Sequence, residues 1–318
     1  MHTYVIGHLK PDTDSVVAAL ALATLYQNTD CFGHSNASAA ITGEINPETK
    51  FLFEKFQLTV PSIITAAQLQ ADDRVVLVDH NEADQRLEGL DQKHIVEIVD
   101  HHKAKLDFNE PIFLTFKTWG SSSTIVYFMM KKNGFTPEPK LAGLMLAAIL
   151  SDTVGFKSST CTDKDRELAM ELASLAGITD LDAFTLEIFK AKSSTGQLSD
   201  EAIVQNDYKI FDFHGKKVMI DQLETVEQAE ILSSRQAGLL SAMARVKAQQ
   251  QVDYLFVAIT DILQVNSKLL VLDEAHQAVL ERAFGAPTTN QVIDIGAKLS
   301  RKKDIAPPIE TAIGQLGN

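Results

Sequence analysis

Arg74-Val-Val-Leu-Val-Asp79 and His94-Ile-Val-Glu-Ile-Val-Asp100 are short β-branched runs that each end abruptly in an acidic residue followed by further polar ones. Both read as buried strands, because Val and Ile pack well on a pleated surface and lose little side-chain freedom there. Thr3-Tyr-Val-Ile-Gly7 reads the same way and gives way to Pro11-Asp-Thr-Asp14, then to an Ala/Leu/Val run from Ser15 to Tyr26. That order is strand, loop, helix, with Asp14 or Ser15 expected to cap the helix by accepting from its free N–H groups. Helical patterns over 121–132, 141–150 and 163–176 alternate with the strands, which predicts βαβ units on a parallel sheet. In such sheets polar clusters beyond the carboxyl ends of the strands mark the ligand site.

The chain has 318 residues, which favours two domains over one. Its 45% hydrophobic and 22% charged residues fit a globular protein with a sizeable core. The best boundary is the small, polar stretch Lys190-Ala-Lys-Ser-Ser-Thr-Gly-Gln197. It divides a domain over 1–189 from one over 198–318. In the latter, Asp207–Phe213 and Lys217–Ile220 flank a His-Gly turn as a hairpin, with a helix near 226–248 and strands near 253–260 and 268–272. The predicted fold class is α/β: a mainly parallel N-terminal sheet flanked by helices, and a smaller α+β C-terminal domain with a mixed sheet.

A formal charge of −13 argues against a general nucleic-acid-binding surface, which needs clustered Lys and Arg. Cys31 and Cys161 stand far apart and outside any C-x-x-C pattern, so free thiols are expected rather than a disulfide or thiolate site. The N-terminus has neither the basic region nor the apolar stretch of a signal peptide, and no segment has the uncharged length of a membrane span. A cytoplasmic location is the expectation.

The clusters at the strand ends are His8-x-x-x-Asp12-x-Asp14, Asp79-His-Asn81, Asp100-His-His102 and Ser151-Asp152. Taken singly, each has a plain role as a turn, a cap or a strand end. Together they crowd carboxylates at one sheet edge, where like charges repel and a cation must offset them. Imidazole and carboxylate without thiolate suit Mn²⁺, Co²⁺, Fe²⁺ or Zn²⁺, and the number of donors exceeds what one ion takes. A two-metal site is expected, with His80 and Asn81 fixing loops rather than binding metal. Near the C-terminus Ser300-Arg301-Lys302-Lys303 offers adjacent cations in an acidic chain, a planar fork and point charges suited to a small polyanion.

In this order the four clusters resemble the DHH phosphoesterase superfamily, and Ser300-Arg301-Lys302 with Asp207-Tyr208-Lys209 resembles the C-terminal, DHHA2-like signature of family II inorganic pyrophosphatases. The resemblance spans essentially the whole chain, without a CBS-type regulatory insertion. It implies hydrolysis of pyrophosphate to two phosphates at a cleft between domains, by a hydroxide bridging two Mn²⁺ or Co²⁺ ions per subunit, with Mg²⁺ arriving on the substrate. The implied metal ligands are His8, Asp12, Asp14, Asp79, His101 and Asp152, with Asp79 and Asp152 contacting more than one ion. His102, Lys209, Arg301 and Lys302 are the implied substrate-binding and catalytic residues, and Asp100 orients a histidine. A homodimer through the N-terminal domain is implied as well. An exopolyphosphatase or nucleotide phosphodiesterase on the same metal core is the competing enzyme, and a non-catalytic regulatory protein the competing class.

Overall fold

The computed structural model describes residues 1–29, 33–193 and 198–316, and divides into two units, Met1–Lys192 and Ser193–Asn318. The elements of the first are β1 (Thr3–Ile6), α1 (Thr13–Asn28), β2 (Ala37–Ile41), α2 (Pro47–Phe56), β3 (Ser62–Ile63), β4 (Arg74–Val78), β5 (Ile95–Asp100), β6 (Phe113–Phe116), α3 (Ser122–Lys132), α4 (Pro139–Asp152), α5 (Asp163–Ala176) and α6 (Leu181–Ser193). Its six strands lie in the order β3-β2-β1-β4-β5-β6, and every pairing is parallel. The order reverses between β1 and β4, and this switch point opens a crevice at the strand ends. His8 follows β1 there, and Asp79 follows β4.

Helices α1 and α4 are apolar nearly all round, which predicts burial on every side. Ala18, Leu22, Leu25 and Tyr26 of α1 and Leu144, Leu146 and Leu150 of α4 are fully buried in one core with Val76 and Val99 of the sheet. Each large aliphatic side chain there contributes roughly 1.5–3 kcal/mol relative to exposure. This core fixes the helix ends that meet the crevice. Gly7 lets β1 run close beneath α1: a Cβ at that position would stand 2.0 Å from Ser15 Oγ.

Two expectations need correction. The cap of α1 is Asp12, whose Oδ1 accepts from the Ser15 N–H at 2.9 Å, and not Asp14 or Ser15. The helix starts two residues earlier than the apolar run suggested, which places Asp14 in the first turn. The boundary stretch 190–197 begins as helix, since α6 continues to Ser193; residues 194–197 lie outside the described part, as does Cys31. Cys161 is a free thiol.

The second unit comprises α7 (Asp200–Ile203), β7 (Tyr208–Phe213), β8 (Lys216–Thr225), α8 (Gln228–Gln250), β9 (Tyr254–Asp261), β10 (Asn266–Leu270), α9 (Glu274–Phe284), β11 (Val292–Gly296) and α10 (Ala306–Leu316). Its sheet runs β11-β10-β9-β8-β7. The hairpin β7–β8 and the pairs β9–β10 and β10–β11 are antiparallel, whereas β8 and β9, joined through α8, are parallel. The sheet is thus mixed. A π-helical turn, Arg301–Ile305, enters α10.

Candidate metal centre

The carboxylate of Asp79 occupies the middle of the crevice. Its Oδ2 lies 3.5 Å from His8 Nε2, and its Oδ1 lies 3.2 Å from His101 Nε2. Asp79 is 2% exposed and holds a left-handed φ of 65°, a conformation that aspartate tolerates at a cost and that recurs at functional sites. Around it stand Asp12 Oδ2, 3.5 Å from His8 Nε2, and Asp152 Oδ2, 3.5 Å from His101 Nε2. Three sets of donors result, each with its ligand atoms within 4.8 Å of one another: His8, Asp12 and Asp79; Asp14, Asp79, His101 and Asp152; and Asp79, His101 and His102, the last overlapping the second. Asp79 belongs to all three, while Asp152 belongs to the second.

Both imidazoles are held from behind. His8 Nδ1 lies 2.7 Å from the Leu9 carbonyl, and His101 Nδ1 lies 2.9 Å from that of Trp119. A carbonyl accepts only, so each Nδ1 carries a proton and each Nε2 faces carboxylates, where a proton or a metal ion must stand between them. A bare Nε2 lone pair against a carboxylate would be repulsive, so positive charge must sit between them. His101 Nε2 is buried and makes no hydrogen bond, which marks it as a donor awaiting a cation. Burial alone would lower the pKa of both histidines, but Asp12 and Asp79 raise His8 to about 11, and Asp79 raises His101 to about 10. Burial and the repulsion of Asp79 lift Asp14 to about 6; burial with Asp14 and Asp79 lifts Asp152 well above the carboxylate range. Asp79 resists the effect of its own burial and is held below that range by His101 and His8. The cluster therefore calls for positive charge at both Nε2 atoms, and a divalent ion supplies it while displacing protons. The donor set of imidazole and carboxylate fits a metal such as manganese.

A neighbouring helix completes the cradle. The N-terminus of α3 points its free donors at Asp14: Ser121 Oγ donates at 2.7 Å, Ser122 N at 2.6 Å and Ser123 N at 3.0 Å, while Ser122 Oγ donates to Asp79 Oδ1 at 2.9 Å. A helix N-terminus favours negative charge, so α3 steadies the carboxylates that the metal needs. Asp165 in turn accepts from Gly120 N at 2.9 Å and Thr124 Oγ1 at 2.7 Å, and so braces the loop whose Trp119 carbonyl orients His101. Sequence reasoning missed these serines and Asp165. Their signals were ordinary cap patterns: Ser121 ahead of an apolar run, and Thr162-Asp-Lys-Asp165 at the start of α5.

Asp100 turns away from the cluster. Its Oδ1 lies 3.0 Å from His102 Nδ1 and its Oδ2 accepts from Asn81 Nδ2 at 2.6 Å. Those bonds outweigh burial and hold Asp100 below the usual range, and the Asp100 bond raises the pKa of His102. Asn81 also receives the Lys105 N–H at 2.6 Å, so it fixes the loop after β5 as expected. His80 is buried, which lowers its pKa to about 4, and its Nδ1 bonds the Val78 carbonyl at 3.0 Å.

In the second unit Arg301 and Asp207 are joined. The guanidinium donates to the Asp207 carbonyl and, at 3.0 Å, to Asp207 Oδ1. This brings the π-turn beside the start of β7, where Lys209 is exposed, and Lys302 is exposed on the turn itself. Gln222 anchors the turn by accepting from Arg301 N at 3.2 Å and donating to the Leu299 carbonyl at 2.8 Å.

These features define a metal-dependent member of the DHH fold. Residues 2–149 match the DHH family N-terminal domain, and residues 186–312 match the DHHA2 domain. A manganese-dependent inorganic pyrophosphatase of Methanocaldococcus jannaschii is 37% identical, covering 97% of this chain and 98% of its own length. One from Methanothrix thermoacetophila is 38% identical over 97% of each. A solved structure described as a family II inorganic pyrophosphatase from Methanococcus jannaschii is 36% identical, superposes with a TM-score of 0.60 and covers 98% of this chain and 99% of its own. The chain belongs to the manganese-dependent inorganic pyrophosphatase family.

Proposed function

We propose that the chain hydrolyses pyrophosphate to two phosphates with two Mn²⁺ ions per subunit. The observation that carries this reading is the pair of donor sets sharing Asp79, at the switch point of a parallel sheet. His8, Asp12 and Asp79 would hold one ion and Asp14, Asp79, His101 and Asp152 the other, with Asp79 common to the two sets. Asp152, with Asp79, stays among the residues proposed to contact more than one ion. When bound, the ions would act as Lewis acids and lower the pKa of bound water towards about 7.

The chain's own groups do the rest. His102 Nδ1 is committed to Asp100, which leaves Nε2 of this half-exposed ring to give a proton to the departing phosphate. Arg301, Lys302 and Lys209 neutralise charge that moves onto that phosphate in a loose transition state. One arm of the Arg301 guanidinium meets the Asp207 carboxylate and the other the Asp207 carbonyl, and substrate binding would exchange these partners for phosphate oxygens. The first unit is thus the catalytic metal-binding domain and the second the substrate-binding one. Co²⁺ fits the same donors, and Mg²⁺ enters with the substrate.

A homodimer through the first unit is part of the reading. Its support is the sheet's edge strand β6, whose Phe113 and Leu114 are 50% and 43% exposed. A cytoplasmic location is proposed with it; no helix among the described residues is long and apolar enough to cross a membrane.

The test is phosphate release by metal-stripped protein given Mn²⁺, with pyrophosphate, tripolyphosphate, a cyclic dinucleotide and single-stranded DNA in parallel. Release from pyrophosphate alone is expected. Preference for another substrate would leave the metal centre standing and overturn the role given to Arg301 and Lys302.

A further inference from the structure

Glu48 sits in the first turn of α2 and is 2% exposed. Its Oε1 accepts from Thr13 Oγ1 at 2.5 Å and from Ser151 Oγ at 2.7 Å, and Thr49 Oγ1 lies 2.9 Å from the Thr13 hydroxyl. Its Oε2 makes no hydrogen bond, and the ammonium of half-exposed Lys192 stands 3.7 Å away. Burying a carboxylate with one oxygen unmet costs folding free energy, and an apolar side chain would serve the packing of α2 better. Packing therefore does not account for Glu48.

Its two hydroxyl partners do. Thr13 stands between Asp12 and Asp14, and Ser151 directly precedes Asp152. One oxygen thus gathers the N-terminal turn of α1 and the C-terminal turn of α4, elements far apart in sequence that together carry three carboxylates of the cluster. The carboxylates repel one another, and helix ends fray unless tied. We propose that Glu48 is a positioning residue of the metal centre, which sets the spacing of Asp12 and Asp14 from Asp152 through the hydroxyls of Thr13 and Ser151. The inference rests on the metal-centre reading above. Partners that orient metal ligands in this way typically cost about 10–100-fold in affinity when removed.

The experiment uses the full chain, stripped of metal, and titrates Mn²⁺ alone by calorimetry, with the Mn²⁺ paramagnetic resonance spectrum as a second readout. Glu48→Ala should weaken Mn²⁺ about tenfold or more and broaden the spectrum. Glu48→Gln should stay within a few-fold, because its carbonyl still accepts both hydroxyls. Ser151→Ala should weaken Mn²⁺ less than Glu48→Ala and add nothing to it in the double variant. At saturating Mn²⁺ the KM for pyrophosphate should not move more than about twofold, since Glu48 reaches the substrate only through the ions. A lower melting temperature in Glu48→Ala with unchanged Mn²⁺ affinity would reduce Glu48 to a structural role and overturn the proposal. If Glu48→Ala does not fold, Ser151→Ala and Thr13→Val decide: unaltered Mn²⁺ binding in both overturns it. Wild-type protein that takes up no Mn²⁺ would instead remove the metal-centre reading on which the proposal stands.

Discussion

The metal cluster of the first unit and the cationic turn of the second handle charge in opposite ways. Asp14 and Asp79 are each 2% exposed, and hydrogen bonds from the start of α3 hold both of them. Lys302 and Lys209 are exposed, and Arg301 is tied to a carboxylate, Asp207, that is itself 64% exposed. Buried like charges persist only because the fold imposes them, so the cluster is built ahead of its ligand. Exposed cations are screened by salt, gain strength only when a ligand shields them, and leave the fold indifferent to their identity. The lesson is that one site spends stability on geometry, while the other anchors Arg301, 10% exposed, and leaves its two lysines open to exchange.

The sharpest way to break the comparison is to remove one cluster carboxylate. Asp79→Asn should weaken Mn²⁺ by more than about a hundredfold, beyond the typical loss for an outer support, and turnover should fall with it. Asp152→Asn should follow the same pattern, with metal binding and turnover impaired together; calorimetric titration beside a phosphate-release assay checks both. Arg301→Ala comes next. A charge-assisted hydrogen bond is worth about 1.5–3 kcal/mol, so KM should rise roughly ten- to a hundredfold while Mn²⁺ affinity stays put. Arg301→Lys should recover part of that, because the charge survives and the fork does not. Full activity retained in both Asp152→Asn and Arg301→Ala would sink the division of roles.

Much of the first site was legible because its donors follow strands. Val75–Val78 and Ile95–Val99 can hardly be anything but strands, and an acid just past each falls at the sheet edge. The supports were not legible. Serine, glutamate and threonine at Ser121, Ser122, Glu48 and Thr13 are common surface and cap residues, and only tertiary placement turns them inward. The left-handed Asp79 gave no warning either, since no glycine marks the turn. Ala37-Ser-Ala-Ala-Ile41 lacks strand-forming character and becomes β2 because β1 offers it a partner. In the second unit the parallel pairing of β8 with β9 depends on α8 crossing over, which periodicity alone does not reveal.

Metal should sharpen the contrast within one molecule. At a concentration about a hundred times its Kd, Mn²⁺ stabilises what binds it by about 2.7 kcal/mol. Hydrogen exchange should slow at the N-termini of α1 and α3 and the C-terminus of α4, and remain unaltered in β7 and β8. Equal protection of both units would mean that the cluster is not separately organised by its ion.

The smallest effect expected concerns Asp221, a fully buried carboxylate of the second unit. It is 0% exposed, accepts from Asp207 N at 3.0 Å, and leaves Oδ2 without a hydrogen bond. Burial pushes its pKa to about 7; the Asp207 N–H bond opposes the rise, the charge of Asp207 adds to it and Arg301 opposes it. An acid whose folded pKa is raised is neutral in both states at low pH and contributes nothing there. As pH climbs from about 4 to about 7 the unfolded chain ionises first, and the folded state carries the growing cost. Asp221→Asn, neutral throughout, should therefore leave stability relative to wild type unchanged between pH 3 and 4 and exceed it above pH 7. Local relaxation and water entry keep the gain on the order of 1 kcal/mol. Thermal melts of both proteins at the two ends of that range check it. A difference that does not grow with pH would mean that Asp221 ionises without penalty, and that the second unit, like the first, can hold a buried charge beside its ligand site.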